Sequence, residues 1–160
     1  MMSPKTLCRL LRLAVIASGI CALFIMLIAI PSFGKMLVWW EPYVVGWYTP
    51  WLIFAWVAAL PCFAILVLIW RVSGAVKNDT VFTVKTARLI KAGSVLLFID
   101  VGFFFVGNIV LFLFGMSHPF VLLISAIVDI FAIALALLAA VLARYITKAA
   151  ALQVMSEGII

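Results

Sequence analysis

The sequence is poor in charge. Only 10% of its 160 residues are charged, and five acidic residues stand against eleven lysines and arginines. Soluble domains are about a quarter charged and about half apolar, whereas 69% of this chain is hydrophobic. A water-soluble globule of this length cannot enclose that much apolar surface. The composition therefore excludes an ordinary soluble domain and predicts a membrane protein.

Metal ligands and catalytic side chains are also scarce. The single histidine, His118, leaves a haem without a histidine pair, and Cys8, Cys21 and Cys62 match no zinc spacing. No two cysteines share a predicted outer loop, so a disulfide framework is not implied. A Ser/His/Asp set and a nucleotide-binding loop are missing as well. We therefore expect no cofactor and no enzymatic activity, and we interpret the cysteines as packing residues.

Four long apolar stretches dominate the chain, at residues 13–30, 51–70, 92–116 and 120–143. A helix rises about 1.5 Å per residue, so about 20 residues cross the hydrocarbon core. Barrel strands would be segments of about ten residues with alternating polarity, and these stretches are continuously apolar. The pattern predicts an all-α polytopic membrane protein with a single four-transmembrane-helix bundle. An inner link at residues 71–91 and a tail at residues 144–160 complete it.

The basic residues predict the orientation. Ten of the eleven lysines and arginines flank the apolar stretches on one side, and only Lys35 lies on the other. The positive-inside rule then places both termini and the inner link in the cytoplasm, and we expect the plasma membrane as the location. These cations fall in three separate clusters rather than on one polar face. We therefore expect no direct binding of nucleic acid.

The two links between spans have distinct compositions. The outer link, residues 31–50, is rich in Trp and Tyr, which predicts an interfacial belt with residues 36–40 as a short flat helix. An aromatic ligand or peptide site is the alternative. In the inner link, Gly74 suits a helix stop, and three residues offer N-cap side chains for the next helix. These are Asn78, Asp79 and Thr80.

Two basic surfaces are predicted at the cytoplasmic side. Lys85, Arg88 and Lys91 recur every three residues on an amphipathic extension of the third span, and they suit anionic lipid or a protein partner. In the tail, a helical stripe of apolar residues begins at Tyr145, next to Lys148. The tail is either a partner-binding helix or a helix on the membrane surface.

Asp100 and Asp129 lie within predicted spans. An acidic side chain at this depth costs at least about 2.5–3.5 kcal/mol, so it normally faces protein or water. Small residues near both aspartates predict that the third and fourth spans pack closely, facing each other or the bundle centre. Counted from the turn near His118, Asn108 and Asp129 lie at similar depth. This predicts a hydrogen bond between them.

The role of these acids has two interpretations. One is a proton or cation relay in a small transporter, and the other is a neutral, hydrogen-bonded structural carboxyl group. No basic residue lies within any span to neutralise either group. The sequence leaves both interpretations open.

Two segments resemble the YoaS-like family of bacterial four-pass membrane proteins, a family of unknown function. The first joins Gly74 to Phe82-Thr-Val-Lys-Thr-Ala-Arg-Leu-Ile-Lys-Ala-Gly93, and the second is the tail, residues 142–160. The chain departs from the family at Thr86, where Asn is common, and in a tail that keeps only Glu157 of an acidic cluster. The resemblance implies a four-pass fold and, because members are often encoded beside a small helix-turn-helix regulator, a membrane-tethered regulatory role.

Two function hypotheses follow. The leading one is a non-enzymatic membrane protein that binds a cytoplasmic regulator of the helix-turn-helix type through the basic surfaces. The alternative is a proton- or cation-coupled transporter or channel subunit that uses Asp100 and Asp129. The small-residue faces are compatible with a monomer or a homodimer.

Overall fold

The computed structural model describes residues 3–78 and 80–157, and helices account for nearly all of them. No strand occurs in this part of the chain. Four helical segments are long and apolar enough to cross a membrane, which confirms the predicted all-α four-span architecture. The α-helices are α1, Pro4–Phe24; α2, Ile30–Trp40; α3, Val45–Lys77; α4, Val84–Leu113; and α5, Pro119–Glu157. A π turn, Ile25–Ala29, joins α1 to α2, and a 3-10 turn, Pro42–Val44, precedes α3.

The helices are longer than the membrane core. The 30 residues of α4 measure about 45 Å and the 39 residues of α5 about 58 Å, against a hydrocarbon thickness of about 30 Å. Their terminal turns therefore extend past the predicted spans. We call one end the basic end, made of residues 4–12, 71–77, 84–91 and 144–157. The opposite, aromatic end comprises residues 31–51 and 115–121. Asp79 of the inner link and residues 158–160 of the tail lie outside the described residues.

Large apolar side chains cover the outside of the helices. Leu60, Leu113, Ile130, Phe131 and Leu138 are among many that are exposed on the isolated chain. Such a surface is unfavourable in water and suits lipid. The protein is therefore an integral, multi-pass membrane protein.

The first span contains an irregular turn before Pro31. The Ile30 amide donates to the Ile25 carbonyl, five residues back, instead of to the Met26 carbonyl. Proline causes this widening, because it has no amide hydrogen and its ring displaces the carbonyl one turn earlier. The helix then continues to Trp40, so the prediction of a separate flat helix at residues 36–40 was wrong.

Trp56 on α3 donates a hydrogen bond to the Met26 carbonyl, which this turn leaves without a backbone donor. The α-helical partner of the Met26 carbonyl is Ile30, which is already used, and its π partner is Pro31, which has no amide hydrogen. The indole Nε1 of Trp56 donates to this carbonyl at 3.2 Å. Because lipid offers no donor to replace it, this bond both satisfies the carbonyl and joins α1 to α3.

We expect Trp56→Phe to lower the free energy of unfolding by about 1–3 kcal/mol, since it leaves a carbonyl without a donor in hydrocarbon. Thermal unfolding in detergent measures the change, and Trp39→Phe, at an exposed ring at the aromatic end, is the matched control. In a Pro31→Ala background the restored amide can donate instead, so Trp56→Phe should cost less there. An equal cost in both backgrounds would contradict this account of the turn.

The helices pack in chain order. The α4–α5 contact is the most extensive, α3 packs on α4, and α1 packs on α3. Among the described residues, α1 does not approach α4 or α5 within 8 Å between Cα atoms, and α3 does not approach α5. The bundle is therefore open, and α4 is the helix that touches both α3 and α5. The outer sides of α1 and α5 are free for lipid or a second copy, and the homodimer stays a prediction.

Glycines admit close packing between α3 and α4. Gly93 faces Leu68 and Gly107 faces the ring of Phe54, both on α3. Ser94, one residue further along α4, faces α5 and donates to the Ala136 carbonyl at 2.8 Å. The small-residue stripe of α4 is therefore divided between two neighbours, with its glycines toward α3 rather than toward α5.

Helix α4 begins later in the chain than the sequence indicated. The N-cap of α4 is Thr83, whose Oγ1 accepts a hydrogen bond from the Thr86 amide at 3.3 Å. Of the predicted caps, Asn78 ends α3, and the Thr80 hydroxyl donates to the Ala75 carbonyl of that helix. The predicted capping of α4 by residues 78–80 was therefore wrong, because Asn78 and Thr80 bond to the end of α3 instead.

The turn between α4 and α5 starts at Gly115. This glycine has φ of 68°, a left-handed conformation that side chains disfavour, and the Met116 amide donates back to the Leu111 carbonyl at 2.8 Å. Helix α4 thus ends at Leu113. The exposed His118 follows, and its Nδ1 accepts from the Phe120 amide at 3.2 Å, so that it caps the start of α5.

Candidate functional site

Polar side chains from three helices meet inside the membrane-spanning region. They are Cys62 on α3, Asp100 on α4 and Asp129 on α5, and we call them the polar cluster. Their meeting follows from the packing order, because α4 lies between α3 and α5. Both carboxyl groups are buried against protein, as the cost of exposing them to lipid required.

Asp100 has a weak donor and an orphaned oxygen. The Cys62 thiol donates to its Oδ2 at 3.5 Å, a long bond from a poor donor. Its Oδ1 is buried and has no hydrogen-bond partner. Buried carboxyl oxygens are normally satisfied by backbone or side-chain donors, so this group is held loosely.

Asp129 lies next to Asp100 and has an orphaned oxygen of its own. Its Oδ2 is buried without a partner, and the two carboxyl groups are close enough to interact electrostatically. The Ser94–Ala136 hydrogen bond explains the proximity, because it sets the antiparallel register of α4 and α5. Asp100 lies six residues after Ser94, and Ile130 lies six residues before Ala136. Asp129, next to Ile130, is therefore at the level of Asp100.

Asn108 does not contribute to this cluster. Its Nδ2 donates at 2.8 Å to the Phe104 carbonyl, one turn earlier on its own helix, and its side chain is buried. The predicted hydrogen bond between Asn108 and Asp129 was therefore wrong. The depth count started too close to His118, whereas α4 ends at Leu113. The register places Asp129 opposite Val101 rather than opposite Asn108, a difference of seven residues or about two helical turns.

The geometry suits a group that exchanges protons or cations. Two carboxyl groups that interact electrostatically in apolar surroundings are typical of proton and cation pathways through a membrane. A purely structural carboxyl would be expected to accept strong hydrogen bonds, and here the one donor is a thiol. Across residues 3–78 and 80–157, no three His, Cys, Asp or Glu side chains are close enough to hold a metal ion together.

The sequence did not indicate that Cys62 belongs to this cluster. A buried cysteine is usually a packing residue, and Cys62 was interpreted in that way. The available signal was depth, since Cys62 and Asp100 lie at similar levels in their spans. Cys21 shares that level, and both cysteines are exposed on the isolated chain, so neither depth nor burial separated the two.

The predicted contact residues lie together at the basic end. Helices α4 and α5 remain packed there, with Thr86 and Ala87 buried on one side and Ala143, Ile146 and Ala150 on the other. We call residues 84–91 and 144–157 the stalk. Its outward-facing, exposed side chains include all five residues singled out from the sequence, namely Lys85, Arg88, Lys91, Tyr145 and Lys148.

The aromatic side chains of the outer link fall into two groups. Trp39 and Trp40 are exposed and contact each other edge to face, as in an interfacial belt. Other aromatic residues turn inward and line an apolar cavity of about 110 Å³ with Phe33 and His118. The inward-facing rings are Trp47, Tyr48 and Trp51. The Tyr43 side chain lies outside the described part of the structure.

Comparison with known proteins identifies a family. A family model described as "Protein of unknown function (DUF2975)" matches residues 8–157, which is almost the whole chain. The match is consistent with the resemblance noted above, although it does not carry the YoaS-like name. No curated protein and no solved structure matches the chain. The chain therefore belongs to the DUF2975 family and is an integral membrane protein of that family with four helices able to span the bilayer.

Proposed function

We propose that this protein is a non-enzymatic plasma-membrane anchor, with both termini in the cytoplasm, whose stalk binds a cytoplasmic regulatory protein. The observation that carries the proposal is the continuity of α5, which runs without a break from Pro119 to Glu157. About 20 residues cross the hydrocarbon core, so the part after Ala143 extends beyond it. A tail helix lying flat on the membrane would be expected to separate from the span by a break, and α5 is one continuous helix there.

The end of the stalk is apolar and uncovered. Leu152, Val154 and Met155 are 65%, 71% and 64% exposed, respectively, beyond Ala150, the last residue of α5 that is buried in the stalk. Exposed apolar side chains outside the lipid are typical of a protein-binding surface. Packing of α4 against α5 holds this surface in a fixed direction, which lowers the entropic cost of binding.

The charge of the stalk selects the partner. Lys85, Arg88, Lys91 and Lys148 are exposed, and the side chains that the structure describes in the stalk include no carboxylate. A partner with an apolar patch and an acidic rim would complement this surface. The resemblance to the YoaS-like family makes a small helix-turn-helix regulator encoded by a neighbouring reading frame the first candidate.

The test is capture of that purified regulator by the full-length protein in detergent. A variant truncated after Ala150 keeps the packed part of the stalk and loses its apolar end. We expect at least about tenfold weaker binding from this truncation, because exposed apolar anchors carry much of the energy of such interfaces.

A pair of identical substitutions provides the control. Met155→Ser changes the stalk, whereas Met36→Ser changes an exposed methionine at the aromatic end. Binding should fall for Met155→Ser and remain at the wild-type level for Met36→Ser. Unchanged capture by the truncated variant, or equal losses from both methionine variants, would rule out the stalk as the binding surface.

A second candidate function rests on the polar cluster. Asp100 Oδ1 and Asp129 Oδ2 are buried without partners, and the two carboxyl groups interact electrostatically, which favours a proton or cation relay in a small transporter or channel subunit. Proton or cation flux into liposomes that contain the purified wild-type protein, above that of empty liposomes, would support this candidate. Flux at the level of empty liposomes would exclude it.

A further inference from the structure

A second polar feature lies at the basic end, apart from the polar cluster and the stalk. It is a cavity of about 330 Å³ between the start of α1 and the end of α3. Among the described residues that line it, four are cations and none is acidic. The residues that define its chemistry are Lys5, Cys8, Arg9, Arg12, Trp70 and Lys77.

Arg12 is fixed in this cavity by two contacts. Its Nε donates to the Ser73 hydroxyl at 3.2 Å, and its guanidinium lies over the Trp70 ring, 5.0 Å from the ring centre. Ser73 is completely buried and its hydroxyl donates in turn to the Trp70 carbonyl at 2.7 Å. The Nε edge of the guanidinium is therefore occupied, and its terminal nitrogens remain available in a fixed orientation.

The positive charge of the cavity is not neutralised within the described chain. The carboxylate side chains that the structure describes, those of Glu41, Asp100 and Asp129, do not line the cavity, and its other described lining residues are apolar or carry a thiol. Grouped cations with no acidic partner repel one another, so an anion that enters between them relieves this repulsion. The planar arginine fork matches two oxygens of a phosphate group.

The level of the cavity indicates where the phosphate comes from. Arg12 directly precedes the first predicted span, and Trp70 is the last residue of the second. Tryptophan at such a boundary marks the headgroup region of a bilayer. Leu13 and Ile16 line the side of the cavity that faces the membrane, where the first carbons of a lipid would lie.

We propose that this cavity binds the phosphate headgroup of an anionic phospholipid, with Arg12 as the bidentate ligand and Lys5, Arg9 and Lys77 around it. Trp70 and Ser73 act as positioning residues for Arg12. This site goes beyond the regulatory function proposed above, since it concerns α1 and α3 rather than the stalk. It assigns the basic start of the chain a specific ligand in addition to its part in orientation.

Binding of fluorescent phosphatidylglycerol to the full-length protein in phosphatidylcholine nanodiscs tests the proposal. We expect Arg12→Gln to weaken binding by about tenfold, because it removes a charge-assisted bidentate contact. Arg12→Lys keeps the charge but loses the bidentate guanidinium. Ser73→Ala keeps the guanidinium but removes the hydroxyl that orients it. Both should therefore give intermediate losses.

Arg71→Gln is the matched control, since Arg71 is an exposed cation at the same level of α3 outside the cavity lining. Equal losses for Arg12→Gln and Arg71→Gln would show diffuse attraction and overturn the site. Displacement of the lipid by millimolar inorganic phosphate would show that the cavity binds free phosphate rather than a phospholipid headgroup, and would overturn the proposal. If Arg12→Gln fails to fold, Arg9→Gln decides in the same way, because Arg9 is exposed and its side chain contributes charge to the cavity.

Discussion

On the relay interpretation of the polar cluster, Asp100→Asn and Asp129→Asn should each abolish proton- or cation-dependent flux while leaving the protein at least as stable as the wild type. Flux should stop because an amide cannot release a proton or carry the charge that holds a cation. Stability should be kept or gained because each wild-type group buries an unpartnered oxygen, which costs about 1–3 kcal/mol. Asn108 illustrates the compensation, since its amide donates to a carbonyl one turn earlier on its own helix.

The combination of two measurements separates the two interpretations of these acids. Flux is followed in liposomes and stability by thermal unfolding in detergent, with Glu41→Gln at the exposed aromatic end as the control. A structural carboxyl predicts the opposite pattern, namely lower stability in both asparagine variants and no change in any flux. That result would remove the relay from consideration and leave the aspartates as packing groups.

Gly107→Ala should lower the free energy of unfolding by about 1–3 kcal/mol, which for a chain of this size corresponds to a loss of roughly 5 °C in melting temperature. A methyl group on Gly107 would overlap the Phe54 ring and would lie 2.7 Å from its Cζ. The ring has little freedom to retreat, because it stacks on Phe104 at 5.6 Å between centroids and also touches Phe103. The substitution therefore has to push α3 away from α4.

Gly102→Ala on the same helix is the control for this prediction. A methyl group there meets nothing within 4 Å, so the substitution should be neutral or slightly stabilising through helix propensity. The two variants should shift the melting temperature in opposite directions or differ by several degrees. Equal shifts would mean that α3 and α4 are not held together at Gly107.

The sequence was informative about each helix taken singly. Hydropathy and length located four spans, and the cost of burying a carboxyl group predicted that Asp100 and Asp129 face protein. The apolar stripe of the tail also indicated a helix there, and α5 extends through it to Glu157. These properties depend on residues close together in the chain, so a single sequence is enough to reveal them.

The relations between helices were harder to predict. Asn108 was paired with Asp129, although the register places Asp129 at the level of Asp100. That register depends on where α4 stops, which is set by the left-handed turn at Gly115, and a shift of one turn changes every pair across the interface. The π turn and its Trp56 partner were also missed, because the donor lies thirty residues from the carbonyl that it satisfies.

The sequence by itself determined that this chain spans the membrane as helices and that its intramembrane acids turn inward, because lipid penalises exposed charge and unpaired backbone at every position independently. Tertiary structure alone decided which groups meet: Cys62 with Asp100 inside the bilayer, and Arg12 with Ser73 at the basic end. These contacts between side chains depend on the depth and rotation of separate helices. Both are fixed only when glycine contacts, turn geometry and interhelical hydrogen bonds act together.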